Sequence, residues 1–295
     1  MVLHSRVRWH LLRWWLTIVA VATAAATAGA VDLLLPNRTD SVKFAVVGDF
    51  GTGDRLEYEV AAQMAIARAQ FPFATVLTTG DNMVGLQDSR VEFEEKFERP
   101  FAPLLQARVR FFATLGNHDR SANTGYVPFN MNGARYYTFA EQNVRFFALD
   151  SNRPDRQELA WMNEALGRSS EEWKICYFHH PIYSDGERHG ADIELRVLFE
   201  PLFTRYGVDV VFSGHEHVYE RMAPIAGTVY FVTGSGGQEL RELRSGAKPA
   251  ASFTRDASFM LVEVIGSVLY FRTVSRTGAV VDADVIRRPG RKAQS

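Results

Sequence analysis

Five times in this chain an apolar run stops and hands over to residues that can donate oxygen or nitrogen. Ser41 to Gly48 runs into Asp49, and Phe73 to Thr79 into Gly80-Asp81-Asn82. Val109 to Leu115 runs into Gly116-Asn117-His118-Asp119. Trp173 to Phe178 runs into His179-His180-Pro181, and Val208 to Phe212 into Gly214-His215-Glu216-His217. Each run reads as a buried strand, ended by its glycine or polar cluster. The five donor groups therefore fall at the C-terminal ends of strands, the edge where open α/β sheets bind ligands. A chain built this way is constrained to bring those ends together.

The donors are chemically consistent. Asn and Asp offer oxygen, and imidazole can ligate metal or move a proton. No thiolate is among them, so the set suits Zn, Fe, Mn or Ni rather than Ca or Mg alone. Of the eight histidines, His4 and His10 lie near the N-terminus, and only His189 of the remaining six is outside the strand-end motifs. One lone histidine is ordinarily a core or surface residue; this concentration is not explained that way. The donors also outnumber what one tetrahedral ion needs. A carboxylate bridge between two ions is the economical arrangement, with Asp81 the best placed. Two ions about 3.5–4 Å apart can activate water and clamp the axial oxygens of an in-line phosphoryl displacement.

Between the motifs the pattern alternates. Asp54 can cap a helix carrying Leu56, Val60, Met64 and Ile66, and a charged helix around Val91 to Phe97 is interrupted by Pro100 and Pro103. Tyr136 to Ala140 and Val144 to Leu149 read as paired strands; Asp155 to Leu166 and Ile193 to Tyr206 read as helices, the latter despite Pro201. After residue 228 strands dominate: Val229 to Val232, Phe259 to Ile265, Val268 to Val274 and Ala279 to Ile286, with a hairpin turn at Gly266-Ser267. The expectation is one α/β domain over residues 41–286, a two-sheet β-sandwich flanked by helices. Gly234-Ser235-Gly236-Gly237 reads as a loop, and no helix signal follows it to make a phosphate cradle.

A chain of 295 residues, 46% apolar, is ample for such a core. Its 33 basic and 34 acidic residues leave a net charge of -1, which gives no footprint for nucleic acid. The basic stretch opening the tail at 287–295 reads as solvated. Cys176, the single cysteine, lies in an apolar run and reads as a core residue. Arg6, Arg8 and Arg13 precede an uncharged stretch from Trp14 to Val31, with Ala28-Gly29-Ala30 as a small-x-small site. Residues 1–30 are thus expected to be a secretory signal or, if uncleaved, a membrane anchor. Either places the body of the protein outside the cytoplasm, periplasmic or secreted, and membrane contact is expected only in the uncleaved case.

The ordered blocks Asp49-Phe50-Gly51, Gly80-Asp81-Asn82, Gly116-Asn117-His118-Asp119, His179-His180-Pro181 and Gly214-His215-Glu216-His217 resemble the metallophosphoesterase superfamily, and within it the purple acid phosphatase family. The extension Val218-Tyr219-Glu220-Arg221 adds to the likeness, and the chain resembles the compact single-domain, tartrate-resistant type. The resemblance implies a four-layer fold and two metal ions, Fe, Zn or Mn. By it, Asp49, Asp81 and His217 would hold the first ion, and Asp81, Asn117, His179 and His215 the second. His118 would contact the phosphoryl group and His189 would help protonate the leaving group; His180 is expected only to pack against Pro181. One position departs: the family's metal-binding tyrosine is Val84 here. The function implied is hydrolysis of small-molecule phosphomonoesters by a metal-bound hydroxide. The alternatives are a phosphodiesterase or nucleotide hydrolase of the same fold, or a metal- or phosphate-binding protein with little turnover.

Overall fold

The computed structural model describes residues 35–288; the export segment expected at 1–30 and positions 289–295 of the tail lie outside the described residues. In the first half, β1 (Val42–Val47), α1 (Arg55–Gln70), β2 (Thr75–Thr78), α2 (Arg90–Phe93), α3 (Ala102–Gln106) and β3 (Arg110–Ala113) follow one another. Next come β4 (Tyr137–Glu141), β5 (Val144–Ala148), α4 (Arg156–Arg168), β6 (Trp173–Tyr177), α5 (Ile193–Tyr206) and β7 (Val210–Ser213). The last third is β8 (Tyr219–Arg221), β9 (Val229–Thr233), β10 (Ala251–Phe253), β11 (Ser258–Ile265), β12 (Val268–Ser275) and β13 (Val280–Arg287).

Local chemistry accounts for the helix boundaries. Asp155 and Asp192 cap α4 and α5, each accepting a backbone N–H at 2.8 Å, from Glu158 and Leu195. Gly207, at φ +63°, closes α5 in the left-handed conformation that a helix C-terminus favours. Pro201 is tolerated inside that helix. Asp54 stands at the start of α1 but its side chain makes no capping bond. Glu57 takes that place, accepting the N–H of Gly53 at 2.7 Å. After α2 the chain widens into one π-helical turn, Glu94–Glu98, and restarts as α3 with Pro103 in its first turn.

The strands form two mixed sheets, in the orders β13-β12-β11-β1-β2-β3 and β10-β8-β9-β7-β6-β5-β4. In the first, β1, β2 and β3 run parallel, while β11 enters antiparallel beside β1, with Val42 opposite Val264. In the second, β5, β6, β7 and β9 are parallel. One apolar layer lies between the sheets and includes Phe44, Phe146, Trp173, Phe212 and Phe231. A second packs the first sheet against α1 and α3, and a third packs the other sheet against α4 and α5. The result is the helix–sheet–sheet–helix sandwich expected from the alternation of patterns. Cys176 is buried in the third layer.

Two short strands were not visible in the sequence: β8, inside the Tyr219-Glu220-Arg221 extension, and β10, an edge strand that among the described residues pairs only with β8. Arg287 ends β13, and Arg288 Nε lies 2.6 Å from Asp209 Oδ1. Among the described residues no helix is long and apolar enough to cross a membrane.

Phe44 joins the two sheets. Its ring meets Phe146 edge-on, centroids 5.1 Å apart, and Phe212 at 6.2 Å. Phe44→Ala should cost about 3–5 kcal/mol of stability, read from urea unfolding, and Phe44→Leu distinctly less. A loss below about 1 kcal/mol would show that this layer repacks around the cavity.

Candidate metal centre

The parallel strands β1 and β2 lie side by side, so the residues just past their ends are neighbours. Asp49 and Asp81 occupy these positions, both with positive φ, +56° and +51°. His215, past the end of β7, shares the feature at φ +69°. A non-glycine residue held there is strained, by about 1–3 kcal/mol each, and persists only where its surroundings over-determine it. Here they do. Asp49 N–H donates to Gly80 O at 3.0 Å, and the His215 N–H donates to the Asp49 carboxylate at 3.0 Å. The His118 N–H donates to Asp81 Oδ1 at 2.9 Å. Glycine is required where the loops cross: a Cβ on Gly116 would lie 2.1 Å from Asp81 Oδ1, and one on Gly214 2.3 Å from Asp49 Oδ2.

The six candidate ligands form one connected set. His179 Nε2 lies 3.5 Å from Asp81 Oδ1, 2.9 Å from Asn117 Oδ1 and 3.1 Å from His215 Nδ1. His217 Nε2 lies 3.5 Å from Asp49 Oδ1. Donor atoms of Asp49, Asp81 and His179 all fall within 4.8 Å of one another. Two backbone carbonyls orient the rings: His179 Nδ1 donates to Thr79 O at 2.9 Å, and His217 Nδ1 to Glu239 O at 2.7 Å. That leaves each Nε2 as a lone pair facing inward.

The electrostatics agree. Burial, then the neighbouring Asp81, pushes the Asp49 carboxyl well above the usual range; burial also raises Asp81. Burial drives His179 well down, and His215 and His217 down as well. The site thus holds a buried carboxylate pair and a His179 lone pair that meets the Asn117 amide oxygen with no proton to share. Such a donor set fits cations, and His179 belongs both to the group with Asp49 and Asp81 and to the group with His180 and His215.

His118 and His189 are exposed at the mouth, the His189 ring lying against His215 with centroids 4.1 Å apart. His180 does more than pack against Pro181. Its Nδ1 is 2.9 Å from Ser151 Oγ, its ring is 4.5 Å from that of His215, and its nitrogens come within 4.8 Å of those of His179 and His215. Clefts flank the site: one of about 680 Å³ beside Asn117, reaching Arg135 and Arg153, and one of about 430 Å³ beside His189, reaching Arg196 and Arg244.

Four tyrosines near the motifs in sequence point elsewhere. The hydroxyls of Tyr58, Tyr126, Tyr183 and Tyr219 bond to Glu95 O, Glu98, Glu200 and Asp282. None replaces the tyrosine lacking at Val84. Sequence reasoning also missed what supports the donors. Asp119 accepts the N–H groups of Gly116, Asn82 and Met83 at 2.8, 3.1 and 3.0 Å, and so folds the two loops together. The loop at Gly234 to Gly237 underlies the site: Gly236 N–H donates to Gly48 O at 2.9 Å, and Gln238 N–H to Asp49 O at 3.0 Å. Asp119 stood within a motif and could have been found there; the glycine loop gave no signal beyond its composition.

Comparison with known proteins identifies the family. Residues 42–219 match the model of the calcineurin-like phosphoesterase family. Tartrate-resistant acid phosphatase type 5 from Homo sapiens is 26% identical over 254 residues, covering 69% of this chain and 77% of the relative. Probable purple acid phosphatase 20 from Arabidopsis thaliana is 27% identical over 252 residues, covering 74% of this chain and 57% of the relative. A purple acid phosphatase from yellow lupin (Lupinus luteus) seeds has the same fold, with a TM-score of 0.71 at 19% identity, covering 87% of this chain and 55% of that one. The chain belongs to the calcineurin-like phosphoesterase family, as a purple acid phosphatase-like, metal-dependent phosphoester hydrolase.

Proposed function

We propose that the protein is an exported phosphomonoesterase in which Asp49, Asp81 and His217 hold one metal ion and Asp81, Asn117, His179 and His215 the other. The observation that carries this is the His179 ring. Pinned through Nδ1 to Thr79 O, it turns a lone pair toward Asn117, Asp81 and His215 at once. Two bound cations would supply Lewis acidity toward water and neutralise charge on the phosphoryl oxygens. Fe, Zn and Mn all suit the donors. Export is supported by the charge and hydropathy layout of residues 1–30.

The chain's own groups then have distinct tasks. His118, exposed beside Asp81, is set to hydrogen-bond a phosphoryl oxygen. His189, against the His215 ring, is set to give a proton to the leaving oxygen. Phosphodiester hydrolysis is the second reading, favoured by a cleft on each side of the centre that could take a substituent. Hydrolysis of p-nitrophenyl phosphate and bis-p-nitrophenyl phosphate by the metal-loaded protein separates the two. No turnover on either, with any of the three metals, would leave the binding-protein reading.

Asp81→Asn should lose more activity and more metal than Asp49→Asn, because Asp81 is the carboxylate common to both proposed ligand sets. Metal content with matched kinetics checks this, and a well-loaded, active Asp81→Asn would remove the bridge. His118→Ala should keep both ions and lose about 10²–10⁴-fold in kcat, the range for a positioned polar or acid–base group. Loss of an ion in that variant would make His118 a ligand instead.

The third expectation is spectroscopic. With valine at position 84 and the neighbouring tyrosines bonded elsewhere, iron-loaded protein should lack an intense tyrosinate-to-Fe(III) band in the visible. Val84→Tyr should create one. A band in the unmodified protein would mean that a tyrosine moves in when metal binds.

A further inference from the structure

We propose that Glu216 is a positioning residue: from between His215 and His217 it grips the loop that carries His189 and so sets where the leaving-group acid stands. The inference rests on the reading of His189 given above. Glu216 is fully buried. Its Oε1 accepts the backbone N–H of His189 and, at 2.6 Å, that of Gly190. Its Oε2 has no hydrogen-bond partner among the described residues; Arg241 Nη1 stands 3.8 Å away and donates to His215 O at 3.0 Å. Burying a carboxylate with one oxygen short of partners is costly. What it holds accounts for its place.

The rest of the loop is built around that grip. A Cβ on Gly186 would lie 2.3 Å from Glu216 Cδ, so only glycine leaves room for the carboxylate. At the loop's other end Glu220 accepts the Ser184 hydroxyl at 2.5 Å and the Asp185 N–H at 3.0 Å. Two glutamates on the segment that follows β7 therefore clamp residues 184–190 at both ends. One lies between two candidate ligands, so the acid's backbone and the metal-donor segment are held as one unit.

A general acid must stand within about 2.6–3.2 Å of the atom it protonates. A misplacement of about 1 Å can cost 10²-fold. The proton matters in proportion to the basicity of the departing oxygen. When the P–O bond breaks, its electron pair stays on that oxygen. An alkoxide needs the proton from His189, whereas 2,4-dinitrophenolate leaves as a stable anion.

The test compares glycerol phosphate with 2,4-dinitrophenyl phosphate. Glu216→Ala should lower kcat on the alkyl ester about 10²-fold and leave the activated ester within a few-fold. Glu216→Gln, which keeps an acceptor oxygen for the same two N–H groups, should recover most of the loss. Gly186→Ala pushes a Cβ into the carboxylate without deleting it, and should reproduce the selective loss if Glu216→Ala fails to fold. Amide exchange of the metal-free protein gives a readout without turnover: His189 and Gly190 should exchange faster in Glu216→Ala, and Leu261 in β11 should not. Equal losses on both esters, or unchanged exchange at His189 and Gly190, would overturn the positioning role. A wild-type protein inactive on both esters would overturn the phosphoesterase reading itself.

Discussion

Two carboxylates, Asp49 and Asp81, stand buried side by side, and the structure is arranged to keep them there. Each sits two or three residues beyond a strand, in a left-handed backbone conformation that a non-glycine residue does not choose. Each is held by the N–H of a residue from another motif: Asp49 by His215, Asp81 by His118. The motifs are therefore wired to one another by hydrogen bonds that need no ion. Burial, and then repulsion from Asp81, raise the Asp49 carboxyl, and burial raises Asp81; a pair of cations would relieve both effects.

Around the donors lies a set of acidic groups that serve as acceptors rather than ligands. Asp119 folds the second and third motifs together, Glu57 holds the turn after the first, and Glu216 and Glu220 hold the loop of His189. The same logic extends to the sheet edge, where Asp282 on β13 takes the Tyr219 hydroxyl at 2.7 Å and Arg221 Nε at 2.8 Å on β8 of the other sheet. Backbone N–H groups in loops must find acceptors once water is excluded. Here the buried carboxylates of Glu57, Glu216 and Glu220, and the half-buried one of Asp119, provide them at short reach.

Much of this was legible from residues alone, for a physical reason. A donor at a strand's end is marked by the apolar run before it, so Asp49, Asp81, Asn117, His179, His215 and His217 could be read in order, as could the two layers of strands and the helices outside them. What could not be read is whatever depends on side-chain direction or on distant pairing. Periodicity does not say that β11, more than two hundred positions from β1, inserts beside it. Nor does it reveal β8, whose three residues are too few to show alternation. Glu216 and Asp119 were in plain view within motifs, yet their work lies in which N–H groups they face. Adjacency places His180 against Pro181 and does not reveal that its ring also faces the histidine cluster.

The loop from Gly234 to Gln238 and the strand β11 both come after the last motif, yet one underlies Asp49 and the other flanks β1. The order of synthesis matters for such a chain. When His217 leaves the ribosome every candidate ligand exists, but the floor beneath Asp49 and the strand that closes the first sheet are still to be made. The first sheet and the floor beneath Asp49 are therefore complete only once the C-terminal third has folded back onto the beginning.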